Sequence, residues 1–163
     1  MLNPKVEESL NDQLNFEFYS SYVYLAMAAY FEAENLPGMS AWMKTQAQEE
    51  VSHAMKFYGY LYNRMGRVAL DKIDKPRFEW ESPLAAFEDA LRHEKAVTGK
   101  IHDIYKLARE LDDPATENFL QWFIEEQVEE EASVDNVVQR LRQIGDFQAG
   151  LFFLDRELGT RQA

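Results

Sequence analysis

The sequence predicts an all-α protein. It reads as a four-helix bundle with one long crossover between helices two and three, plus a short C-terminal fifth helix. Three observations carry this. Four long stretches place their core-type residues at alternating steps of three and four, the spacing of one helix face. Prolines, glycines and capping residues punctuate the ends of those stretches. The segment between the second and third stretches is too long for a turn and poor in helix formers. A chain of 163 residues is expected to form one domain, 1–163, and 46% hydrophobic residues are enough for a sizeable core.

The first helix is expected over about 5–34, with a core stripe of Val6, Leu10, Gln13, Glu17, Ser20, Tyr24, Met27 and Phe31. Asn35-Leu36-Pro37-Gly38 breaks it. The second runs over about 39–65, with Gly66 as its stop. Ser82 caps the third helix and Pro83 takes its first position. That helix covers 83–112, with the stripe Leu84, Phe87, Leu91, Glu94, Thr98, Ile101, Tyr105 and Ala108. Asp113-Pro114 opens the fourth, 114–144, whose stripe is Leu120, Phe123, Gln127, Glu130, Val134, Val137 and Leu141. Gly145 ends it, and an amphipathic segment over 147–158 follows with Leu151, Phe152, Leu154 and Leu158.

Connection lengths set the topology. Short links make helices one and two, and helices three and four, antiparallel hairpins. The second helix is about 40 Å long at ~1.5 Å per residue. The connection from Arg67 to Glu81, extended, reaches roughly 50 Å. It can therefore run the length of the bundle and leave helices two and three parallel.

The acidic balance, 29 Asp and Glu against 17 Lys and Arg for a net charge of −12, argues against nucleic acid and anionic membranes as partners and favours cations. With no cysteine, disulfides, thiolate zinc sites and cysteine-ligated iron–sulfur clusters are excluded. No apolar run is long enough to span a bilayer, and the N-terminus lacks the layout of a secretory signal, so the cytoplasm is the expected compartment.

Against this background the core stripes hold a contradiction. Glu17, Glu50, Glu94 and Glu130 occupy positions that bury side chains, and His53 lies one turn beyond Glu50. Buried carboxylates are costly unless paired or bound to metal, and no Lys or Arg shares those stripes. The placement is duplicated at an offset of 77 residues: Glu17 corresponds to Glu94, Glu50 to Gln127, His53 to Glu130 and Glu49 to Glu126. Each residue lies near mid-helix, so all fall at similar height in a bundle. A Glu from each of two helices with Glu-x-x-His from the others is the di-iron carboxylate layout, and i, i+3 spacing puts both members of a pair on one face. Carboxylate oxygens with one imidazole suit iron or manganese, and zinc can also bind. Here the second Glu-x-x-His is replaced by Gln127 and Glu130. The half-site of Glu17, Glu50 and His53 is therefore expected to bind more tightly, Glu50 to bridge, and Glu94 with Glu130 to hold a second, weaker position beside neutral Gln127.

At this point the chain resembles the non-haem ferritins of bacteria and archaea over nearly its whole length. The resemblance rests on N-D-Q-L-N-F-E-F-Y-S-S-Y around Glu17, Q-E-E-V-S-H-A-M-K-F-Y from Gln48, W-E-S-P-L-A-A-F from Trp80, and F-L-Q-W-F-I-E-E-Q-V-E-E-E from Phe119. It implies a ferritin-like fold and a ferroxidase. Fe(II) would be oxidised by oxygen or peroxide and passed as ferric mineral into a hollow homo-oligomeric shell of twenty-four subunits. The family's two-iron centre falls on Glu17, Glu50, His53, Glu94, Gln127 and Glu130. Its neighbouring third iron site falls on Glu49, Glu126, Glu129 and Glu130, and its centre-adjacent tyrosine on Tyr24, which by itself reads equally well as a core aromatic with a bonded hydroxyl. Glu117 matches an acidic position of the three-fold channel, but the acidic position one turn on is Leu120 here. The fifth segment resembles the helix lining the four-fold axis; docking on its own bundle is the alternative.

Val51 stands where bacterioferritins place a haem-ligating methionine, so no haem is expected. Rubrerythrin-type peroxidases use a more symmetric centre, usually beside a cysteine-ligated iron domain. A di-iron oxidase or peroxidase that stores no iron is the competing enzymatic reading; a helical interaction module with structural polar layers is the non-enzymatic one. His93 and His102 do not share the face of His53 and read as solvated or hydrogen-bonded side chains.

Overall fold

A computed structural model describes residues 1–162; Ala163, the last position of the predicted domain, lies outside them. Five helices form: α1 Pro4–Ala33, α2 Pro37–Asn63, α3 Pro83–Glu110, α4 Pro114–Ile144 and α5 Gln148–Leu158. Proline occupies the first turn of α1 to α4, where its missing N–H would have had no helical partner. Pro37 therefore starts α2 rather than merely ending α1. Asn3, Ser82 and Asp113 supply side-chain caps to α1, α3 and α4.

The ends of α1, α2 and α3 share one device. Asn35, Met65 and Asp112 take left-handed backbone (φ 58°, 58° and 52°), and the following N–H reaches back to close the last turn. Those bonds are Leu36 to Phe31, Gly66 to Leu61 and Asp113 to Ala108, each 2.9 Å. The stop expected at Gly66 is thus set one residue earlier, by Met65. Gly66 sits in tight quarters, since a Cβ there would lie 3.1 Å from the side-chain ends of Glu7 and Leu2.

Pairings across the bundle fix directions. Phe16 stacks on His93 and Phe31 packs on Phe87, so α1 and α3 run antiparallel. Gln46 meets Glu130 while Tyr60 stacks on Phe119 with centroids 3.9 Å apart, so α2 and α4 do as well. With α1 and α2 an antiparallel hairpin, α2 and α3 are parallel, as the crossover length demands. The crossover is laid along α1 by two asparagines. Asn11 accepts from Ala69 N–H (2.7 Å) and donates to the Arg67 carbonyl (2.9 Å); Asn15 accepts from Asp71 N–H (2.8 Å) and donates to the Ala69 carbonyl (2.9 Å). The match is geometric: four helical residues rise about 6 Å, close to two residues of extended chain at about 6.6 Å.

The core falls into two apolar clusters. One holds Met27, Phe31, Met43, Phe87 and Val138; the other holds Leu10, Leu14, Phe57, Ile101 and Phe123. Between them every long helix contributes polar buried residues. Leu84, Leu91, Thr98 and Tyr105, expected in the core of α3, are only half-buried; Ala90, Val97 and Ile104 are buried beside Phe87, Glu94 and Ile101. Leu120 is fully buried in the second cluster, so it faces no channel.

The fifth helix folds back onto its own bundle. Leu36, at the start of α2, offers no side-chain cap. Asp155 of α5 supplies one instead, accepting from Met39 N–H at 2.8 Å. Close approach requires glycine, because a Cβ on Gly38 would fall 1.7 Å from the Asp155 carbonyl oxygen. Leu154 and Leu158 bury into the first cluster, while Phe147, Phe152 and Phe153 stay exposed. Gly38→Ala is expected to displace α5 and lower stability by about 1–3 kcal/mol, and Asp155→Ala by about 1 kcal/mol. Chemical denaturation of each variant checks this, and unchanged midpoints would contradict the docked geometry.

Candidate metal centre

Each of the four long helices delivers part of the polar layer. From α1 come Glu17 and, one turn earlier, Gln13, which donates to Glu17 Oε1 at 2.9 Å. From α2 come Glu50 and His53, whose Nδ1 lies 3.2 Å from Glu50 Oε2. Gln46, again one turn earlier, donates to Glu130 and reaches Glu50 Oε1 at 3.5 Å. From α3 comes Glu94, which accepts from the Tyr24 hydroxyl and, at 3.0 Å, from the Gln127 amide of α4. Gln127 also contacts the Glu94 carbonyl and Thr98 Oγ1, both at 3.2 Å. Glu130 completes the layer.

All of Glu17, Glu50, His53, Glu94, Gln127 and Glu130 are buried, none more than 5% exposed. Among the described residues no lysine or arginine lies within ion-pairing distance of Glu17, Glu50, Glu94 or Glu130; the sole histidine partner is His53. Burial therefore raises all four carboxyl pKa values, and repulsion from a neighbouring glutamate adds to it at Glu17, Glu50 and Glu130. Glu17 and Glu50 are pushed well above the ordinary range, by burial first and then by Glu50 and Glu94 respectively. Glu94 is raised by burial against the opposing bonds from Tyr24 and Gln127. Glu130 is pushed up to about 8 by burial and the Glu94 charge. Tyr24 is likewise raised well above its usual value by burial and the Glu94 charge, which keeps its hydroxyl a proton donor to Glu94.

Ligand atoms converge in three groups, each with its atoms within 4.8 Å of one another: Glu17, Glu50 and His53; Glu50, Glu94 and Glu130; and His53, Glu126 and Glu130. The first two share Glu50, the residue expected to bridge. The donor set fits a pair of borderline divalent cations, namely carboxylate oxygens with one imidazole. One atom tests that fit: Glu17 Oε2 is buried without any hydrogen-bond partner, an acceptor left for a ligand that protein groups do not supply.

The third group gathers two of the four residues expected at a third position. Glu126 is brought to His53, with Nε2 and Oε1 3.9 Å apart, and joins Glu130. Glu129 is exposed and outside the group, and Glu49 is held instead by Arg161 at 3.0 Å. His93 is no ligand: its Nε2 lies 2.7 Å from Ser20 Oγ and its ring packs on Phe16, Tyr19 and Tyr24, burial lowering its pKa to about 4. His102 is exposed. Gln46 and Arg161 were not anticipated from the sequence. The signal for Gln46 was available, because Gln13 and Gln46 each precede a buried stripe glutamate by four residues.

Residues 7–144 match the model of the Ferritin family, described as a ferritin-like domain. The chain is 40% identical to a bacterial non-heme ferritin of Bacteroides fragilis strain 638R, covering 99% of this chain and 100% of that one. It is 38% identical to a bacterial non-heme ferritin of Staphylococcus aureus strain MRSA252, with 99% and 97% covered. The structure superposes on an open pore ferritin from the hyperthermophilic archaeon Archaeoglobus fulgidus with a TM-score of 0.99 at 49% identity, covering 99% and 100% of the two chains.

The raised carboxyl pKa values predict proton-coupled metal binding. Glu130, at about 8, is mostly protonated at pH 7 in the metal-free protein, so loading with Zn(II) should release about one proton per chain or more. Apparent affinity should fall as pH is lowered. The sign for stability is the reverse of an ordinary salt-bridged carboxylate. With folded pKa values above the unfolded ones, these carboxyls favour the metal-free fold most at low pH, and the contribution of Glu130 is lost as pH rises from about 4.5 to about 8. Calorimetric titration in buffers of different ionisation enthalpy measures the proton count; a count of zero would contradict the assignment.

Proposed function

This chain belongs to the ferritin family, and on that premise we propose that it is an iron-storage protein with ferroxidase activity. It takes up Fe(II), oxidises it with oxygen or peroxide at the centre formed by Glu17, Glu50, His53, Glu94, Gln127 and Glu130, and retains the ferric product as mineral inside a shell of twenty-four copies. The observation that carries the chemistry is the pair of buried ligand groups sharing Glu50. Two Fe(II) held by a common carboxylate can each give one electron to the same oxygen molecule. Iron is the substrate here, and the protein's own contribution is placement and charge.

The residues divide that work. Glu17, Glu50 and His53 hold the first Fe(II); Glu50, Glu94 and Glu130 hold the second. Gln127 offers a neutral amide where a second Glu would sit, which weakens the second position and favours passage of the oxidised ion over its retention. Gln13 orients Glu17 through its 2.9 Å bond, and Tyr24 orients Glu94. The apolar clusters above and below exclude bulk water, so these charges act in a low dielectric.

Assembly is supported by exposed apolar residues that a lone chain would not favour, including Tyr22, Leu25, Ile73 and Phe78 as well as Phe152 and Phe153 of α5. No helix among the described residues is long and apolar enough to cross a membrane.

Aerobic addition of Fe(II) to metal-free protein, followed by size-exclusion chromatography with iron and protein read on the same peak, tests the proposal. A fast phase of about two or three Fe per chain, then much more iron co-eluting with a very large particle, is expected. Saturation on a small particle with no further retained iron would instead favour a non-storing di-iron enzyme. Glu50→Ala should slow the initial oxidation by at least about tenfold while leaving the helical circular dichroism intact, and an unchanged rate would count against the site.

A further inference from the structure

The segment after α5 places a permanent cation beside the metal layer. Gly159, Thr160 and Arg161 continue in tight turns off the end of α5, through N–H bonds to Asp155, Glu157 and Leu158. The docking of α5 on the start of α2 therefore aims Arg161 along α2. There the guanidinium lies over the Trp42 ring, 4.3 Å from its centroid, and donates to the Trp42 carbonyl at 3.4 Å. One of its nitrogens, Nη2, donates both to Gln46 Oε1 at 2.9 Å and to Glu49 Oε2 at 3.0 Å. Trp42, Gln46 and Glu49 follow at steps of four and three, so one face of α2 receives the whole group.

Two consequences follow from those bonds. First, a cation on Gln46 Oε1 leaves only one useful orientation for that amide. Its NH2 must face inward, where it donates to Glu130 and reaches Glu50. Secondly, Glu49 is turned toward Arg161 and stands outside the group formed by His53, Glu126 and Glu130. Glu49 is only partly buried, and through Arg161 and Gln46 it stands a short chain of hydrogen bonds from Glu130 and Glu50.

We propose that Arg161 is a tethered counter-cation that competes with a divalent metal ion for Glu49. In the metal-free chain it neutralises Glu49 and fixes Gln46. A cation entering the position next to the two-metal centre, on Glu126 and Glu130, recruits Glu49 by displacing the guanidinium, and Arg161 takes Glu49 back when that cation leaves. Arg161 is thus a positioning residue that weakens retention at the third position, which suits a cation in transit. The inference rests on the metal-centre reading above.

The test is calorimetric titration of the assembled, metal-free protein with Zn(II), a redox-inert probe, in wild type, Arg161→Gln, Arg161→Met and Arg161→Lys. Arg161→Met keeps an apolar stem over Trp42 and so separates charge from packing. Removing a partly exposed ion pair is expected to tighten the third zinc equivalent by about three- to fivefold in both the Gln and Met variants. Arg161→Lys should stay near wild type, and the gain should vanish when Glu49→Gln is added. An unchanged or weakened third equivalent in both neutral variants, a gain that survives Glu49→Gln, or the absence of a third equivalent in all proteins would overturn the proposal. Wild type that binds no zinc at all would instead overturn the metal-centre reading itself. Two tight equivalents with a third indifferent to Arg161 would overturn only this inference.

Discussion

Four carboxyl groups buried in one layer, with a single imidazole and, among the described residues, no Lys or Arg paired to them, are the constraint around which this molecule is arranged. Isolated charges in such a place are prohibitively unfavourable, so the layer must be protonated, hydrogen-bonded or filled by cations. The metal-free chain uses the first two. Its carboxyl pKa values are raised, and Gln13, Gln46, Gln127 and Tyr24 each donate to one of the glutamates. Glu17 Oε2 is the place where this provision stops. A protein selected for stability alone would fill the layer with leucine. Retaining carboxylates there sacrifices stability for a site, a trade common where function resides.

The rest of the fold holds that layer at one height. The two hairpins repeat a placement, and antiparallel packing of α1 on α3 and of α2 on α4 brings the mid-helix positions together. The apolar clusters on either side resist any sliding of one helix past another. The crossover completes the arrangement, pinned to α1 by Asn11 and Asn15. At one end, α5 caps α2 through Asp155 and carries Arg161 to the edge of the layer. Segments far apart in sequence thus meet on a single face of α2.

Much of this is legible in the sequence because helical periodicity exposes misplaced polarity. Glu17, Glu50, Glu94 and Glu130 stand out on apolar stripes, and the 77-residue offset predicts their convergence. All six expected centre residues do share one buried layer. The starts of α3 and α4 were readable because proline and Ser or Asp caps act locally; the bounds of α2 were less so, since Pro37 opens the helix instead of only breaking α1, and at its end left-handed backbone fell on Met65 rather than on Gly66. What stayed hidden depends on contacts between distant segments. Asp155 as a cap for α2, the asparagine ladder on the crossover and Arg161 on Glu49 leave no periodic trace. The same limit holds beside the centre: the packed structure gathers Glu126 with His53 and Glu130 and turns Glu49 toward Arg161, neither of which the stripes announce.

The central claim is that the layer exists to hold two cations sharing Glu50. Anomalous X-ray diffraction from crystals soaked anaerobically in Fe(II) tests it most directly. Two iron peaks are predicted in each chain, one among Glu17, Glu50 and His53 and the other among Glu50, Glu94 and Glu130, with Glu50 between them. Iron found only on the exposed acidic surface, with the buried layer unchanged, would contradict the account.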